Sequence, residues 1–210
     1  MRKIKYFVVP TFLFMMVCGI FLFLHSDKIS AQLIIHDRYY HESAYNLMKF
    51  ITSWGEWYLF VIAILVYSFQ KSWWCAAEFL TAGIISAVVV QFLKKVVFAT
   101  SPRPMAVINW GDTQLDTGLG IDMPLQFAFP SGHTTTAFIW FALMALHWNR
   151  PVLQLFSAFC AIAVAVSRVY LMVHWITDIM AGALLGIAIA VIVHHIFLRL
   201  QKNRSFLRSG

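Results

Sequence analysis

Ser167-Arg168-Val169-Tyr170-Leu171-Met172-Val173-His174-Trp175-Ile176-Thr177-Asp178 puts an arginine, a histidine and an aspartate into twelve residues that otherwise read as membrane-embedded. Ionisable groups are expensive at membrane depth, so each is a functional candidate by default. His174 and Asp178 are four residues apart. A helix begun by His174 would set them on one face, where the carboxylate can hold the imidazole. Taken alone, such a pair reads equally well as a satisfied structural contact, and its meaning depends on what else reaches the same end of the molecule.

The rest of the chain sets the medium. Of 210 residues, 60% are hydrophobic and 12% charged, with mean hydropathy +0.74. Soluble domains run nearer a quarter charged, so the composition excludes an ordinary soluble domain. Apolar runs at about residues 6–24, 54–70, 73–98, 133–148, 152–172 and 176–198 predict an all-α polytopic membrane protein, a bundle of six transmembrane helices. The chain reads as one domain over residues 1–210. The first run follows Arg2, Lys3 and Lys5 and has a signal-peptide alternative. It is long for that role and lacks a small-x-small cleavage site before Asp27, so it reads as a retained helix. Cys18, Cys75 and Cys160 all fall within apolar runs and show neither a disulfide framework nor zinc spacing.

The net charge of +7 does not point to nucleic acid, because the basic residues sit at the ends of apolar runs. With the N-terminus in the cytoplasm, the inner segments hold Arg2, Lys3, Lys5, Lys71, Arg150, Arg199, Lys202, Arg204 and Arg208, while every acid but Glu78 falls outside. That asymmetry is the positive-inside signature. It predicts both termini in the cytoplasm and residues 25–53 outside as a helix lying in the interface, with an ordinary extramembrane hairpin as the alternative. Glu78, His194 and His195 fall near inner ends and read as interfacial or packing residues. Gly182 and Gly186 form a GxxxG for close helix packing.

Helix alternation brings two further clusters to the side of the opening stretch. One is Lys94-Lys95 followed by Ser101-Pro102-Arg103-Pro104; the other is Phe129-Pro130-Ser131-Gly132-His133. The flanking prolines fix the backbone at Arg103. Its guanidinium suits bidentate phosphate binding, and by itself would equally suit an arginine snorkelling at the interface. Ser131 can cap a helix whose free N–H groups and dipole favour an anion, with His133 in the first turn. A simple cap is the alternative there. Two histidines, a carboxylate, two arginines and a lysine on one membrane face describe phosphoryl transfer. They do not describe a two-metal site, which needs several clustered carboxylates; Asp112, Asp116 and Asp122 are spread along a loop. No metal and no cofactor are expected.

These residues resemble the type 2 phosphatidic acid phosphatase family, whose site is related to those of vanadium haloperoxidases and bacterial class A acid phosphatases. Its second motif, Pro-Ser-Gly-His, stands complete at residues 130–133, and its third, Ser-Arg, five residues, His, three residues, Asp, at 167–178. The first motif, Lys, six residues, Arg-Pro, is met at Arg103-Pro104, but Lys95 leaves seven residues before Arg103 and Lys94 leaves eight. Lys95 is the choice made on spacing. The resemblance covers about residues 54–198. It implies that His174 attacks phosphorus, that Asp178 orients it, and that His133 protonates the leaving group and then activates water. Lys95, Arg103, Ser131, Gly132 and Arg168 would bind the phosphate.

The sequence thus predicts a lipid-phosphate phosphatase in a bacterial inner membrane, its site on the periplasmic face. The substrate would be a membrane lipid: undecaprenyl pyrophosphate, phosphatidylglycerol phosphate, phosphatidic acid or a lipid A phosphate. Trp110, Phe127 and Phe129 either line the entrance or anchor the interface, and residues 105–129 are a candidate cover. Transfer of the phosphate to a second lipid is the enzymatic alternative, with haloperoxidase activity more distant. A non-catalytic lipid-binding or transport protein is the alternative of another class. The oligomeric state is not readable from the residues.

Overall fold

The computed structural model describes residues 4–25, 27–108, 125–148 and 150–209. Trp110, Asp112, Asp116 and Asp122, and with them the middle of the candidate cover, lie outside the described residues, as do Arg2, Lys3 and the side chain of Arg208.

The described chain is helical throughout. Helix α1 spans Lys5–Leu24, α2 Lys28–Tyr39, α3 Glu42–Thr52, α4 Tyr58–Phe69, α5 Trp73–Phe92, α6 Pro104–Val107, α7 Gly132–His147, α8 Pro151–Tyr170 and α9 Ile176–Ser209. The six apolar runs thus become α1, α4, α5, α7, α8 and α9. Four stretches are long and apolar enough to cross a membrane: Lys5–Leu24, Trp73–Val97, Pro151–Tyr170 and Ile176–Arg204. Glu42–Gly55 with Tyr58–Phe69, bent by 54°, would make a fifth. The sequence's count of six is not reached by length, because α4 and α7 have only 12 and 16 residues, about 18 and 24 Å against a hydrocarbon core of about 30 Å.

Helix α7 is short because it is central. From Ala137 to Leu146 only Trp140 is not buried. It is apolar around its whole circumference, as a helix walled in by others should be. Helices α8 and α9 pack on it, and α1 packs on α8. The GxxxG does what its spacing predicts: a Cβ on Gly182 would lie 2.7 Å from the Ser131 carbonyl oxygen, and one on Gly186 2.7 Å from that of Thr135. Only glycine allows the two backbones to approach so closely.

The outer segment forms two helices, α2 and α3, broken at Tyr40 and His41. Asp27 starts α2 by accepting from the Ile29 and Ser30 amides at 2.7 and 2.9 Å, a standard N-cap. Gln32 donates from its side chain to the Val169 carbonyl at 2.9 Å, seating α2 on the end of α8. Beside it Met172 and Trp175 pack with Ile108 and Ala128 in a small core of their own.

Glu78 and His194 are both buried, and Glu78 bonds His194 Nδ1 at 2.7 Å and lies 3.2 Å from His147 Nε2, tying α5, α7 and α9 together. This is interior packing, in keeping with the packing alternative; His195 is half-buried.

Candidate active site

The three clusters meet at one end of the bundle, where α7 and α9 begin. Helix α8 ends at Tyr170, and the chain turns through Leu171–Trp175 before α9 begins at Ile176. The Arg168 carbonyl closes this turn, accepting from the amides of Val173 and His174 at 3.2 and 3.3 Å. Met172 in the turn adopts a left-handed φ of 59°. Helix α9 begins only at Ile176, after His174, so the pair meets not along one helical face but because Asp178, in the first turn, reaches back to the histidine in the preceding turn.

Asp178 binds with both side chain and backbone. Its Oδ2 lies 3.2 Å from His174 Nδ1 and accepts from the Trp175 amide at 2.9 Å, while its carbonyl accepts from the Ser131 amide at 3.1 Å. One residue thus fixes the histidine ring and docks the start of α7. With Nδ1 turned to the carboxylate, His174 presents Nε2 to the site. His174 and Asp178 are 1% and 2% exposed. Burial, then the charges of Arg168, Arg103 and Lys94, hold the His174 imidazole well below its ordinary pKa. A neutral imidazole keeps the lone pair a nucleophile needs.

The cations arrive from separate elements. Arg168, 2% exposed, donates from Nη1 to Thr52 Oγ1 at 2.8 Å, so the end of α3 aims it. Its Nε is buried without a partner, a donor that an anion's oxygen would satisfy. Arg103 is buried too, and donates from Nε to the Gln126 carbonyl at 3.2 Å and from its amide to the Leu125 carbonyl at 2.9 Å. Its φ and ψ of −80° and 159° are extended, as a residue between two prolines requires. The Pro102 carbonyl accepts from the Trp175 indole at 2.7 Å, fastening this loop to the histidine turn.

The structure turns Lys94, and not the Lys95 chosen on spacing, toward Gly132. Lys95 is exposed, whereas Lys94 is half-buried, with its Nζ 4.0 Å from where a Cβ on Gly132 would sit. Residues Leu93–Val97 form a turn of π-helix, closed by the Phe98 amide on the Leu93 carbonyl at 2.8 Å. A π turn takes up an extra residue without breaking the helix. It takes up one of the two residues by which the spacing from Lys94 to Arg103 exceeds the motif, and the Lys94 ammonium lies on the Gly132 side.

Ser131 caps α7 as expected. Its Oγ accepts from the Thr134 hydroxyl at 2.9 Å and, more weakly, from the Thr134 amide at 3.5 Å. Gly132 follows it, and His133 stands in the first turn. His133 Nε2 bonds Glu56 Oε1 at 2.7 Å. Glu56 passed unremarked in the sequence because 77 residues separate it from His133, and no local pattern links them. The two line a cleft of about 210 Å³ with Trp57, Phe60 and Val90, between α4, α5 and α7. Phe129 packs on Phe98 at 4.6 Å between ring centres.

Among the described residues, one trio could offer converging metal ligands: Glu78, His147 and His194. It is at the other end of the bundle. Glu78 on α5 precedes Lys94, in the π turn that continues it, by sixteen positions, about 24 Å. The cluster under discussion can therefore place cations around a tetrahedral anion, a buried neutral imidazole to one side, and a second imidazole at the rim.

The model of the PAP2 superfamily matches residues 75–202. An undecaprenyl-diphosphatase of Sulfolobus acidocaldarius is 28% identical over 145 residues, 67% of this chain and 65% of that protein. Phosphatidylglycerophosphatase B of Bacillus subtilis is 32% identical over 77 residues, 32% of this chain and 38% of that protein. The matched stretches thus span less than two thirds of these relatives. Among solved structures, the transmembrane PAP2-type phosphatidylglycerolphosphate phosphatase of Bacillus subtilis superposes with a TM-score of 0.65 over 93% of this chain and 98% of its own, at 20% identity. LpxE of Aquifex aeolicus gives 0.62 over 78% and 92%, at 23% identity. At these identities the likeness is one of fold.

Proposed function

The chain belongs to the PAP2 superfamily, and we propose that it is an integral membrane phosphatase releasing phosphate from a lipid monophosphate or diphosphate through a phosphohistidine. The convergence of His174, Asp178, His133, Arg168, Arg103 and Lys94 at one end of the bundle carries this reading. Arg168, Arg103, Lys94 and the amides after Ser131 hold the non-bridging oxygens, which carry the charge of the transition state. His174 Nε2 attacks phosphorus in line, and the bond to the leaving oxygen breaks as the N–P bond forms. His133 gives that oxygen its proton. Water then attacks the phosphohistidine, passing a proton to His133, and the N–P bond breaks to free phosphate. Asp178 keeps the ring aligned and offsets the positive charge it gains.

The substrate we propose is a bilayer lipid whose chain stays among the helices while its headgroup enters at the interface. The names of the relatives favour undecaprenyl diphosphate and phosphatidylglycerol phosphate. Phosphatidic acid and lipid A phosphates remain in the test panel. The distribution of basic residues supports cytoplasmic termini and a site on the periplasmic face of a bacterial inner membrane. The whole of residues 1–210 acts as one domain, with its motifs within 54–198.

The test is phosphate release by the purified protein from this panel, with a chelator present. Turnover should persist in chelator and vanish in His174→Ala. An active His174→Ala, or a wild type silenced by chelation, overturns the mechanism. Phosphate appearing on an acceptor lipid instead of in solution identifies a phosphotransferase.

A further inference from the structure

We propose that Glu56 is the positioning residue of His133, a carboxylate that fixes the ring and lets it carry the proton that the leaving oxygen receives. The proposal rests on the reading of His133 as the acid.

The contact is short and built into the packing. Glu56 Oε1 lies 2.7 Å from His133 Nε2. Glu56 sits where the turn after α3 bends into α4, and the residue before it is a glycine pressed against the same histidine. A Cβ on Gly55 would stand 2.7 Å from the His133 carbonyl oxygen, 2.9 Å from its Cβ and 2.9 Å from Val164 Cγ1. Any side chain at residue 55 would therefore push the corner off α7 and withdraw Glu56. The same corner aims a phosphate-site arginine, since Thr52 Oγ1 accepts from Arg168.

Electrostatics explain why such a partner is needed. Lys94, Arg103 and Arg168 gather at this end of the bundle, and a protonated imidazole among three cations is disfavoured. A carboxylate within hydrogen-bond distance offsets them. His174 has Asp178 at 3.2 Å, and Glu56 stands to His133 in the same relation. The environments differ: His174 and Asp178 are both buried, whereas the side chains of His133 and Glu56 are 26% and 38% exposed. The buried pair suits a nucleophile shielded from water. The rim pair suits an acid that must be reprotonated from water in each cycle.

The proton balance is simple. His133 enters the first step with protons on both nitrogens, the Nε2–H donated to Glu56. The other nitrogen yields its proton to the lipid oxygen as the P–O bond breaks. In the second step that nitrogen takes a proton from the attacking water. Glu56 keeps its hydrogen bond throughout and gains or loses no proton.

The test compares leaving groups. A lipid phosphate monoester expels an alkoxide that needs a proton, whereas p-nitrophenyl phosphate expels a phenolate that does not. Glu56→Gln should lower kcat/KM on the lipid by about 30-fold or more, within the range of general acid catalysis. On p-nitrophenyl phosphate it should stay within about 3-fold of wild type. The alkaline limb of the lipid pH profile should move to lower pH, and Glu56→Asp should recover part of the loss. Equal losses on both substrates with an unmoved pH profile, or no loss at all, overturn the role. His133→Ala measured alongside separates the two claims. If it shows the selective loss and Glu56→Gln does not, only the role of Glu56 fails. If His133→Ala shows none, the reading of His133 as the acid fails first.

Discussion

Gly182→Ala is the most exacting test of how the fold positions the site. The added methyl would meet the Ser131 carbonyl oxygen at 2.7 Å, Thr134 Cβ at 3.1 Å and Thr135 Oγ1 at 3.3 Å. The nearest obstacle is backbone and cannot rotate away. Ordinary contacts begin near ~3.5 Å, so α7 and α9 must part by about 0.8 Å at this level. Ser131 and Asp178 straddle that seam, joined by the 3.1 Å bond between the amide of one and the carbonyl of the other. Spreading the seam moves the Ser131–Gly132 amides and His133 away from His174. Displacements of about 1 Å cost on the order of 100-fold in rate, and overpacking costs about 1–3 kcal/mol. We expect kcat/KM to fall roughly 30- to 100-fold, with a modest loss of thermal stability. Gly186→Ala is the control. Its Cβ would strike the Thr135 carbonyl at 2.7 Å and Phe138 Cβ at 2.8 Å, one turn farther from the site. It should destabilise as much while costing activity less than about 5-fold, within the tolerance expected away from the reacting atoms. Phosphate release and thermal unfolding in one detergent would decide it. Full activity in Gly182→Ala, or equal activity losses in both variants, would refute the claim that this seam sets the site's geometry.

Three other outcomes follow from the geometry. Lys94→Ala should weaken kcat/KM by about 10-fold or more, as loss of a charge-assisted contact worth about 1.5–3 kcal/mol implies, while Lys95→Ala stays near wild type; the reverse order would restore the sequence-based choice. Thr52→Val removes the acceptor for buried Arg168 Nη1; it should raise KM several-fold and lower stability by about 1–3 kcal/mol, read by kinetics and thermal unfolding. Because burial and neighbouring cations depress the His174 pKa, its neutral form persists as pH falls through the ordinary imidazole value near ~6.5; rapid-quench formation of the phosphohistidine should hardly change between pH 7 and 6, and a halving near 6.5 would show an unperturbed histidine.

Much of the site could be read directly from the chain, because its parts are local. His174 and Asp178 are four residues apart across the turn into α9, Ser131 caps the helix that carries His133, and two prolines lock Arg103. Each rests on short-range backbone geometry that a dozen residues encode. The apolar runs likewise had to become helices, since a lipid-exposed backbone must satisfy its own hydrogen bonds. The glycine spacing marked Gly182 and Gly186 as a packing seam, with no indication of the helix it would meet.

Other features needed three dimensions. The turn of π-helix at Leu93–Val97 reverses the choice between two adjacent lysines, because one residue of helical phase decides which of them faces inward. Glu56 reaches His133 across 77 residues, and Thr52 reaches Arg168 across 116. Both come from the corner between α3 and α4, which Gly55 allows to sit directly on α7. The partner of a side chain is a property of packing between helices, and periodicity within a helix carries no record of it. The sequence by itself determined the medium, the helices and the residue types that gather at one end of the bundle. Only the tertiary structure decided which lysine turns toward Gly132 and which carboxylate accompanies the second histidine, because both depend on how helices remote in sequence are turned and spaced against one another.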